Sequence, residues 1–330
     1  MQSQSLIRAV VDAAALRHNL RQVRRTAPDS RVMAVIKANA YGHGLVPAAK
    51  ALAEADGFAV ARLGEGLALR AAGLTNRILL LEGVFSADQL AAAAQARFEL
   101  MVHSFEQLAL LDALTGDARV TAWIKVDSGM NRLGFRLDDF SAAYERLRRN
   151  VHVHAEPTLV THLASADDRR DPQTRRQLDA FAAATSGLAG ARSIANSAGV
   201  LAWPAARADW VRPGLMLYGV SPFPSGTGTE LGLRPAMTLR TEVIAVKDVK
   251  AGETVGYGGS WTATRDTRMA VVAAGYGDGY PRGSSSGTPV LIGGRRAPLI
   301  GRVSMDMITV DVTDLPVVAV GDTVVLWGSE

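Results

Sequence analysis

The chain has 330 residues, of which 48% are hydrophobic, so it can bury a large core and is not a disordered protein. Its net charge of +4 is a small excess, with no basic run interleaved with aromatic residues, so we expect neither nucleic acid nor a membrane as partner. The absence of cysteine excludes disulfides, thiolate nucleophiles and cysteine-bound metal, and no apolar segment reaches membrane-spanning length. We therefore expect a cytoplasmic protein without a metal site.

The first two thirds of the chain alternate short apolar runs with Ala- and Leu-rich amphipathic segments, after an initial run, "LIRAVVD". This alternation predicts parallel βα units, and eight such units predict a closed (β/α)8 barrel of the TIM type in the α/β class. The predicted barrel covers residues 8–223. Its strand-like runs are "RVMAVIK", "GFAVA", "RILLLEGV", "FELMVHS", "VTAWIKVD", "TLVTHLA", "ARSIANSAG" and "ADWVRPGLMLYG".

The pattern changes at about Ser221, where "SPFPSGTGTE" has the Pro, Gly and Ser content of a linker. Beyond it, short β-type runs such as "TRMAVVAAG", "TPVLIGG" and "MITVDV" are separated by Gly- or Asp-containing turns. We therefore predict a mainly-β domain over residues 224–330, joined by residues 1–7.

One lysine stands directly after an apolar strand. In "RVMAVIKANAYGHG", Lys37 follows the run and is itself followed by small residues. In a barrel, the carboxyl end of a strand points into the mouth where active sites lie, and a half-buried lysine there is a competent amine nucleophile. The plainer interpretation is a surface lysine at a strand end.

Polar side chains recur at the same end of later strands, and together they favour a site over a set of unrelated caps. Ser197 and the backbone near Gly214 are placed where barrels often bind phosphate, at the seventh and eighth strands. The other candidates are Lys125, Asp127, Arg132, His162, Asp167 and Arg212.

The order of these motifs resembles that of the alanine racemases, which are fold-type III enzymes dependent on pyridoxal 5′-phosphate (PLP). The similarity extends from Ile7 to Trp327 and is greatest to the racemases of Gram-negative bacteria. The motifs that carry it are "AVIKANAYGHG", "KVDSGMNRLG", "THLASAD", "NSAG", "WVRPGLMLYG", "GYGDGYPRG" and "GRVSMDM".

The resemblance implies that PLP is bound covalently to Lys37. It also implies that Tyr41 and Ser197 hold the phosphate together with the backbone at Gly214 and Leu215. On this interpretation the small residues after Lys37 make room for the cofactor ring.

Further roles follow from the same resemblance. Arg212 would face the pyridine nitrogen and His162 would support it. Racemisation requires a base on each face of the substrate Cα, and these would be Lys37 on the D-alanine face and Tyr276 on the L-alanine face. In the family this tyrosine comes from the partner subunit, which implies a head-to-tail homodimer.

The substrate carboxylate is expected to contact Arg132 and the backbone at Met305 of the partner. Asp167 and Arg302 match positions that line the channel through which substrate reaches the site. Lys125 matches a lysine that is carbamylated in some relatives, and a carbamate there would orient Arg132. The alternative is an ordinary lysine paired with Asp127.

Members of the family continue past "TVVLWG" with a tail that carries a tyrosine near the phosphate, whereas the sequence given ends at Glu330. Two alternatives to alanine racemisation stay open: a racemase of broader specificity, for example toward serine, and a non-catalytic PLP carrier. A basic amino-acid decarboxylase is disfavoured, because that group uses a cysteine in the site and an acidic residue where this chain has Arg212.

Overall fold

The structure is a computed structural model, and it describes residues 5–154 and 156–329. The chain divides into two compact units. One runs from Ala13 to Ala236, and the other joins the residues up to Asp12 to those from Met237 onward. Among the described residues, no helix is long and apolar enough to cross a membrane.

The first unit contains a closed barrel of eight parallel strands, as the sequence pattern predicts, so the predicted fold class is confirmed for this unit. Its strands are almost entirely buried, which explains why they read as continuous apolar runs. They are β2 (Arg31–Val35), β3 (Gly57–Val60), β4 (Ile78–Leu80), β5 (Glu99–Val102), β6 (Thr121–Lys125), β7 (Thr158–Val160), β8 (Arg192–Ser193) and β9 (Trp210–Val211).

Helices follow the strands, and the longer ones bury one face against the barrel unit. In the first helix, for example, the buried residues include Leu16, Leu20 and Val23, which share one face. The helices are α1 (Ala13–Thr26), α2 (Leu45–Ala51), α3 (Leu63–Ala71), α4 (Ala87–Gln95), α5 (Phe105–Asp112), α6 (Leu137–Arg148), α7 (Gln173–Ala184) and α8 (Ser197–Ala202). Short 3₁₀ turns cover Pro204–Ala206, Leu215–Tyr218 and Thr229–Leu231.

The second unit is an antiparallel β structure with little helix, which confirms the predicted mainly-β domain. Six of its strands pair in a closed circuit, since β17 bonds both to β14 and to β10, and β1 adds to the outer edge of β10. The strands are β1 (Arg8–Val11), β10 (Met237–Val249), β11 (Thr254–Val255), β12 (Trp261–Thr262), β13 (Thr267–Val272), β14 (Pro289–Ile292), β15 (Arg295–Ile300), β16 (Ile308–Asp311) and β17 (Thr323–Trp327). Its 3₁₀ turns are Tyr257–Gly259 and Tyr276–Asp278.

The unit boundaries in the structure differ from those predicted at 8–223 and 224–330 with 1–7. Arg8 pairs with Arg240 in β10, which places β1 in the β unit rather than at the start of the barrel. Residues 224–236 belong to the barrel unit, because the buried Asn19 of α1 donates to the Arg234 carbonyl and accepts from the Arg234 N–H. The structure does not describe residues 1–4 of the predicted β domain.

A buried carboxylate links side chains at the amino-terminal end of the barrel strands. Glu99, at the start of β5, accepts a hydrogen bond of 2.7 Å from the indole Nε1 of Trp123 and forms an ion pair with Arg77. The Arg77 guanidinium also lies over the ring of Trp210, 5.0 Å from its centroid. This end of the barrel is therefore closed by a packed polar and aromatic layer, so the barrel can open only at the other end.

Replacing this carboxylate should destabilise the barrel. We expect Glu99→Leu to lower the free energy of unfolding by about 2 kcal/mol, because the buried Trp123 N–H loses its acceptor while the half-exposed Arg77 can regain water. Glu99→Gln, which keeps an acceptor oxygen, should cost less. Urea unfolding followed by tryptophan fluorescence measures both, and equal losses in the two variants would contradict the assignment.

Candidate active site

A cavity of about 510 Å³ lies at the carboxyl ends of the barrel strands. It collects the polar side chains that the sequence singled out at the strand ends, so the barrel unit brings these residues together in one place. Those that line it are Lys37, Tyr41, Lys125, Arg132, His162, Asp167, Ser197, Arg212, Gly214 and Leu215.

The backbone after Lys37 is left-handed. Four consecutive residues, Ala38 to Tyr41, have φ near +54° to +55°, a conformation that L-residues adopt at a cost of roughly 1–2 kcal/mol each. Asn39 is a residue type that tolerates this region, whereas Ala38, Ala40 and Tyr41 bear the full cost of their Cβ atoms. Strain concentrated beside a single lysine is typical of functional sites.

Two side chains hold this left-handed turn. The Glu65 carboxylate on α3 accepts from the Ala38 N–H at 2.6 Å through one oxygen and from Ala61 and Arg62 through the other. The Asn39 amide oxygen accepts from the Leu45 N–H at 2.8 Å. Lys37 therefore leaves β2 on a segment whose direction is fixed by hydrogen bonds on both sides.

Arg212 is buried, and its guanidinium is held by neutral acceptors. It donates at 2.6 Å to the Ser193 hydroxyl and at 2.6 Å to the Thr161 carbonyl, and its Nη2 lies 3.3 Å from Nδ1 of His162. The predicted neighbours Arg212 and His162 are thus in hydrogen-bond contact.

Burial sets the charge of this pair. Burial lowers the pKa of Arg212 to about 10, so the guanidinium stays charged at neutral pH. Burial, and next the Arg212 charge, hold the pKa of His162 well below its usual value. A neutral imidazole can accept at Nδ1, which agrees with a bond donated by Arg212.

The loop that carries Arg132 is organised by Asp127. One carboxylate oxygen accepts from the backbone N–H groups of Gly129, Met130 and Asn131 at 2.9 to 3.0 Å. The loop returns to the strand through the Asp127 N–H, which donates to the Phe135 carbonyl at 2.8 Å. The guanidinium of Arg132 projects from this loop into the lining of the cavity.

Lys125 ends β6 and is buried. Burial, and then the charges of Arg212 and Arg132, lower its pKa to about 8, although Asp127 acts in the opposite direction. An appreciable fraction of this amine is therefore neutral near pH 7, unlike that of a surface lysine.

Ser197, Gly214 and Tyr41 lie together in the lining of the cavity. The Ser197 hydroxyl accepts from the Gly214 and Met216 N–H groups at 2.9 and 3.2 Å, which leaves its own proton to donate. A Cβ at position 214 would lie 2.5 Å from the Tyr41 hydroxyl, so the tyrosine occupies the space that only glycine leaves. Tyr41 packs on Tyr218, with ring centroids 4.8 Å apart.

The lining of the cavity is strongly cationic. Among the residues that the structure describes, no ion pair joins Lys37, Lys125, Arg132 or Arg212 to a carboxylate. The lining carries these four cations against the two carboxylates of Glu82 and Asp167, and a half-enclosed site with such a positive excess favours an anionic ligand. Within the same described ranges, no group of His, Asp and Glu side chains could hold a metal ion.

The other predicted site residues lie in the β unit. Tyr276 begins a 3₁₀ turn that is anchored by its own N–H on the Ser304 carbonyl at 3.0 Å and by the Gly277 N–H on the Met305 carbonyl at 2.8 Å. Tyr276 and Arg302 line one cavity of this unit, and the guanidinium of Arg282 lies 5.4 Å from the centroid of the Tyr276 ring.

Several features around the site were not predicted from the sequence. The side chain of Glu65 and the left-handed turn at Ala38 are two such features. A third is Gln107 on α5, which accepts from the His103 N–H at 2.9 Å and donates to the Glu82 carbonyl at 2.9 Å. A signal for Glu65 exists, because it is the third residue of a helix and can bond the backbone that precedes it.

The eight-stranded barrel with a cationic cavity at its strand ends, together with an antiparallel β unit, defines a two-domain barrel protein of the α/β class. The alanine racemase N-terminal domain family matches residues 11–222, and the alanine racemase C-terminal domain family matches residues 236–330. The chain therefore belongs to the alanine racemase family.

Relatives and solved structures agree with this assignment. The alanine racemase of Aeromonas hydrophila is 51% identical over 320 residues, covering 97% of this chain and 90% of that protein. The biosynthetic alanine racemase of Escherichia coli K12 is 50% identical over 320 residues, covering 97% and 89%. The crystal structure of the biosynthetic alanine racemase from Pseudomonas aeruginosa superposes with a TM-score of 0.95 at 48% identity, covering 98% and 91%.

A more distant structural neighbour bears on the cofactor. The alanine racemase of Bartonella henselae, described with covalently bound pyridoxal phosphate, has a TM-score of 0.88 at 30% identity and covers 99% of this chain and 91% of its own.

The buried amine of Lys125 should make stability depend on pH. Between about pH 8 and 10.5 the unfolded chain keeps the Lys125 proton that the folded protein has released, so stability rises with pH in this window. In CO₂-free buffer we expect Lys125→Met to be more stable than wild type at pH 7, by up to about 3 kcal/mol. The difference should shrink as the pH approaches 10. Thermal unfolding at several pH values measures this, and a constant difference would contradict the lowered pKa.

Proposed function

We propose that this protein is a PLP-dependent racemase that interconverts L-alanine and D-alanine by a two-base mechanism. The observation that carries the proposal is the cationic cavity at the strand ends, in a chain of this family, with Lys37 and Arg212 in its lining. A site that binds a phosphorylated cofactor and a substrate carboxylate needs such an excess of positive charge.

The residues of the cavity fit PLP. The proton of the Ser197 hydroxyl is free to donate, and the position of the Tyr41 hydroxyl against Gly214 suits a phosphate with Leu215 beside it. Lys37 would hold the cofactor covalently, and Arg212 would face the pyridine nitrogen. When bound, PLP supplies the electron sink that makes the substrate Cα proton removable.

Arg212 tunes that chemistry by staying charged. A guanidinium whose pKa is about 10 would donate a hydrogen bond to the nitrogen rather than protonate it, which would keep the electron sink weak and limit side reactions such as transamination. His162, neutral beside it, fixes the orientation of the guanidinium through Nδ1.

Proton transfer needs a base on each face of the substrate. On this proposal the Lys37 amine serves the D-alanine face and the Tyr276 hydroxyl serves the L-alanine face. Within the β unit, the guanidinium of Arg282 lies over the Tyr276 ring, 5.4 Å from its centroid. Arg132 would bind the substrate carboxylate together with the backbone at Met305.

We further propose a head-to-tail homodimer in which Tyr276 and Met305 come from the β unit of the partner subunit, so that residues 237–330 complete a neighbouring site. Asp167 and Arg302 would line the channel that leads to it. The protein would act in the cytoplasm, where it supplies D-alanine for peptidoglycan or serves alanine catabolism.

Lys125 is proposed to carry a carbamate. Its neutral amine would attack CO₂, forming the N–C bond with release of one proton, and the resulting anion would lie among the charges of Arg132 and Arg212. A carbamate would therefore neutralise part of the cationic cluster and orient Arg132 toward the substrate.

Racemisation is tested by NMR of the PLP-loaded protein with L-alanine in deuterated water. We expect loss of the α-proton signal and growth of D-alanine. Lys37→Ala and Tyr276→Phe should each lower the rate by about 10³-fold, because each removes one general base. L-Serine in a parallel sample measures substrate breadth. A PLP-loaded wild type that exchanges no α-proton would overturn the proposal and favour a carrier.

The two inactive variants also test the shared site. If Tyr276 acts in the partner's site, a mixed dimer of Lys37→Ala and Tyr276→Phe chains contains one intact site. Random reassociation should then restore about a quarter of the wild-type activity. Activity that stays at the level of the separate variants would show that both bases belong to one chain.

Carbamylation is tested with ¹³C-labelled bicarbonate. We expect a protein-bound carbamate carbon signal in wild type that disappears on acidification and is missing from Lys125→Met. Its absence from wild type at saturating bicarbonate would leave Lys125 as an ordinary amine.

A further inference from the structure

Gln177 is fully buried on α7, and its amide is bonded to two different loops of the barrel mouth. Its oxygen accepts from the Ala164 N–H at 2.8 Å, and its nitrogen donates to the His162 carbonyl at 3.0 Å. The same nitrogen lies 3.4 Å from the Ser128 hydroxyl. One side chain thus joins the segment after β7 to the segment after β6.

The segment after β6 is the loop that carries Arg132. Ser128 is bonded through its hydroxyl to the Thr161 hydroxyl at 2.7 Å, so the two segments also touch directly. One turn earlier on the same face of α7, Gln173 donates to the Gly129 carbonyl at 2.9 Å. The backbone of Gly129 approaches so closely that a Cβ there would lie 2.9 Å from the Gln173 amide nitrogen.

The segment after β7 supports Arg212. The Thr161 carbonyl accepts from the Arg212 guanidinium at 2.6 Å, and the next residue supplies the imidazole at 3.3 Å from that guanidinium. Gln177 bonds the backbone of that same residue, His162. Neither glutamine lines the cavity, so both act on it only through the groups they hold.

We propose that Gln177 is a positioning residue that fixes the Arg132 loop relative to the His162–Arg212 pair, with Gln173 as its auxiliary. The proposal rests on the proposed function, because it takes Arg132 as the group that binds the substrate carboxylate. An amide is required since it must accept from one backbone N–H and donate to a carbonyl, and no charged side chain of this length does both.

The test compares Gln177→Met, which keeps the volume and removes the contacts to Ala164, His162 and Ser128, with Thr174→Val. Thr174 lies on the same helix and is equally buried, and its hydroxyl has no partner among the described residues, so its replacement by an isosteric valine is a matched control. Both variants are prepared as PLP-loaded protein. The readouts are propionate affinity, amide hydrogen exchange at residues 129–131, and separate values of kcat and KM for alanine.

For Gln177→Met we expect propionate affinity to fall about tenfold, KM for alanine to rise by a similar factor, and kcat to fall less. Propionate offers a carboxylate without an amine, so it reports on the proposed carboxylate site, to which Arg132 contributes from this loop. Exchange at residues 129–131 should accelerate in this variant, and Thr174→Val should match wild type in every readout. Propionate affinity and exchange equal to wild type in Gln177→Met would overturn the proposal.

Gln173→Met guards against a failure of the first variant to fold. At a partly exposed position it removes the bond to the Gly129 carbonyl and the bond that Gln173 accepts from the Arg176 guanidinium at 3.1 Å. We expect the same effects at smaller size, whereas unchanged exchange at Gly129 would count against Gln173 as an auxiliary of Gln177. A wild type that binds PLP but racemises no alanine refutes the proposed function alone. The exchange data then still decide whether Gln177 holds the loop.

Discussion

The buried charge of Arg212 is the constraint on which the mouth of the barrel depends. A guanidinium removed from water must be surrounded by acceptors, and here these are a hydroxyl and carbonyls rather than a carboxylate. Ser193 on β8 and Thr161 after β7 have to present these acceptors at the same point. The Arg212 guanidinium therefore constrains how β8 and the segment after β7 lie relative to each other.

Keeping that cation unpaired has electrostatic consequences throughout the cavity. The Arg212 charge helps to hold His162 neutral and to lower the pKa of Lys125, because it repels any positive charge that forms on either side chain. The charge that would relieve this repulsion has to arrive with a ligand. The clustered cations thus destabilise the mouth of the barrel and at the same time give it affinity for anions. Such a trade-off between stability and function is common at functional sites.

Much of this architecture was predictable from the sequence. The eight apolar runs and the polar residues that end them give the barrel and its active end, since parallel strands buried on both faces are recognisable and their carboxyl ends must meet. The residues that line the cavity, from Lys37 to Arg212, follow from the same rule.

Other features could not be predicted, for identifiable reasons. The left-handed turn after Lys37 is held by hydrogen bonds to the side chains of Glu65 and Asn39. The conformational preferences of Ala and Tyr do not predict such a turn. "LIRAVVD" looks like any apolar strand, and only its pairing with β10 assigns it to the β unit. Gln177 is one polar residue on a helix face, and nothing in its spacing distinguishes it from a solvated side chain.

Four polar side chains, each bonded to two neighbouring loops of the barrel mouth, form a regular series. Glu65 joins the segments after β2 and β3, Gln107 those after β4 and β5, and Gln177 those after β6 and β7, while the Ser197 hydroxyl joins those after β8 and β9. Each of the eight loops is therefore tied by one such side chain to the loop next to it in the chain, and bonds such as that from Arg212 to the Thr161 carbonyl join these couples to one another. A loop transplanted from a relative would therefore have to be moved with its coupled neighbour, so the smallest transferable part of this scaffold is a pair of consecutive βα loops and not a single loop.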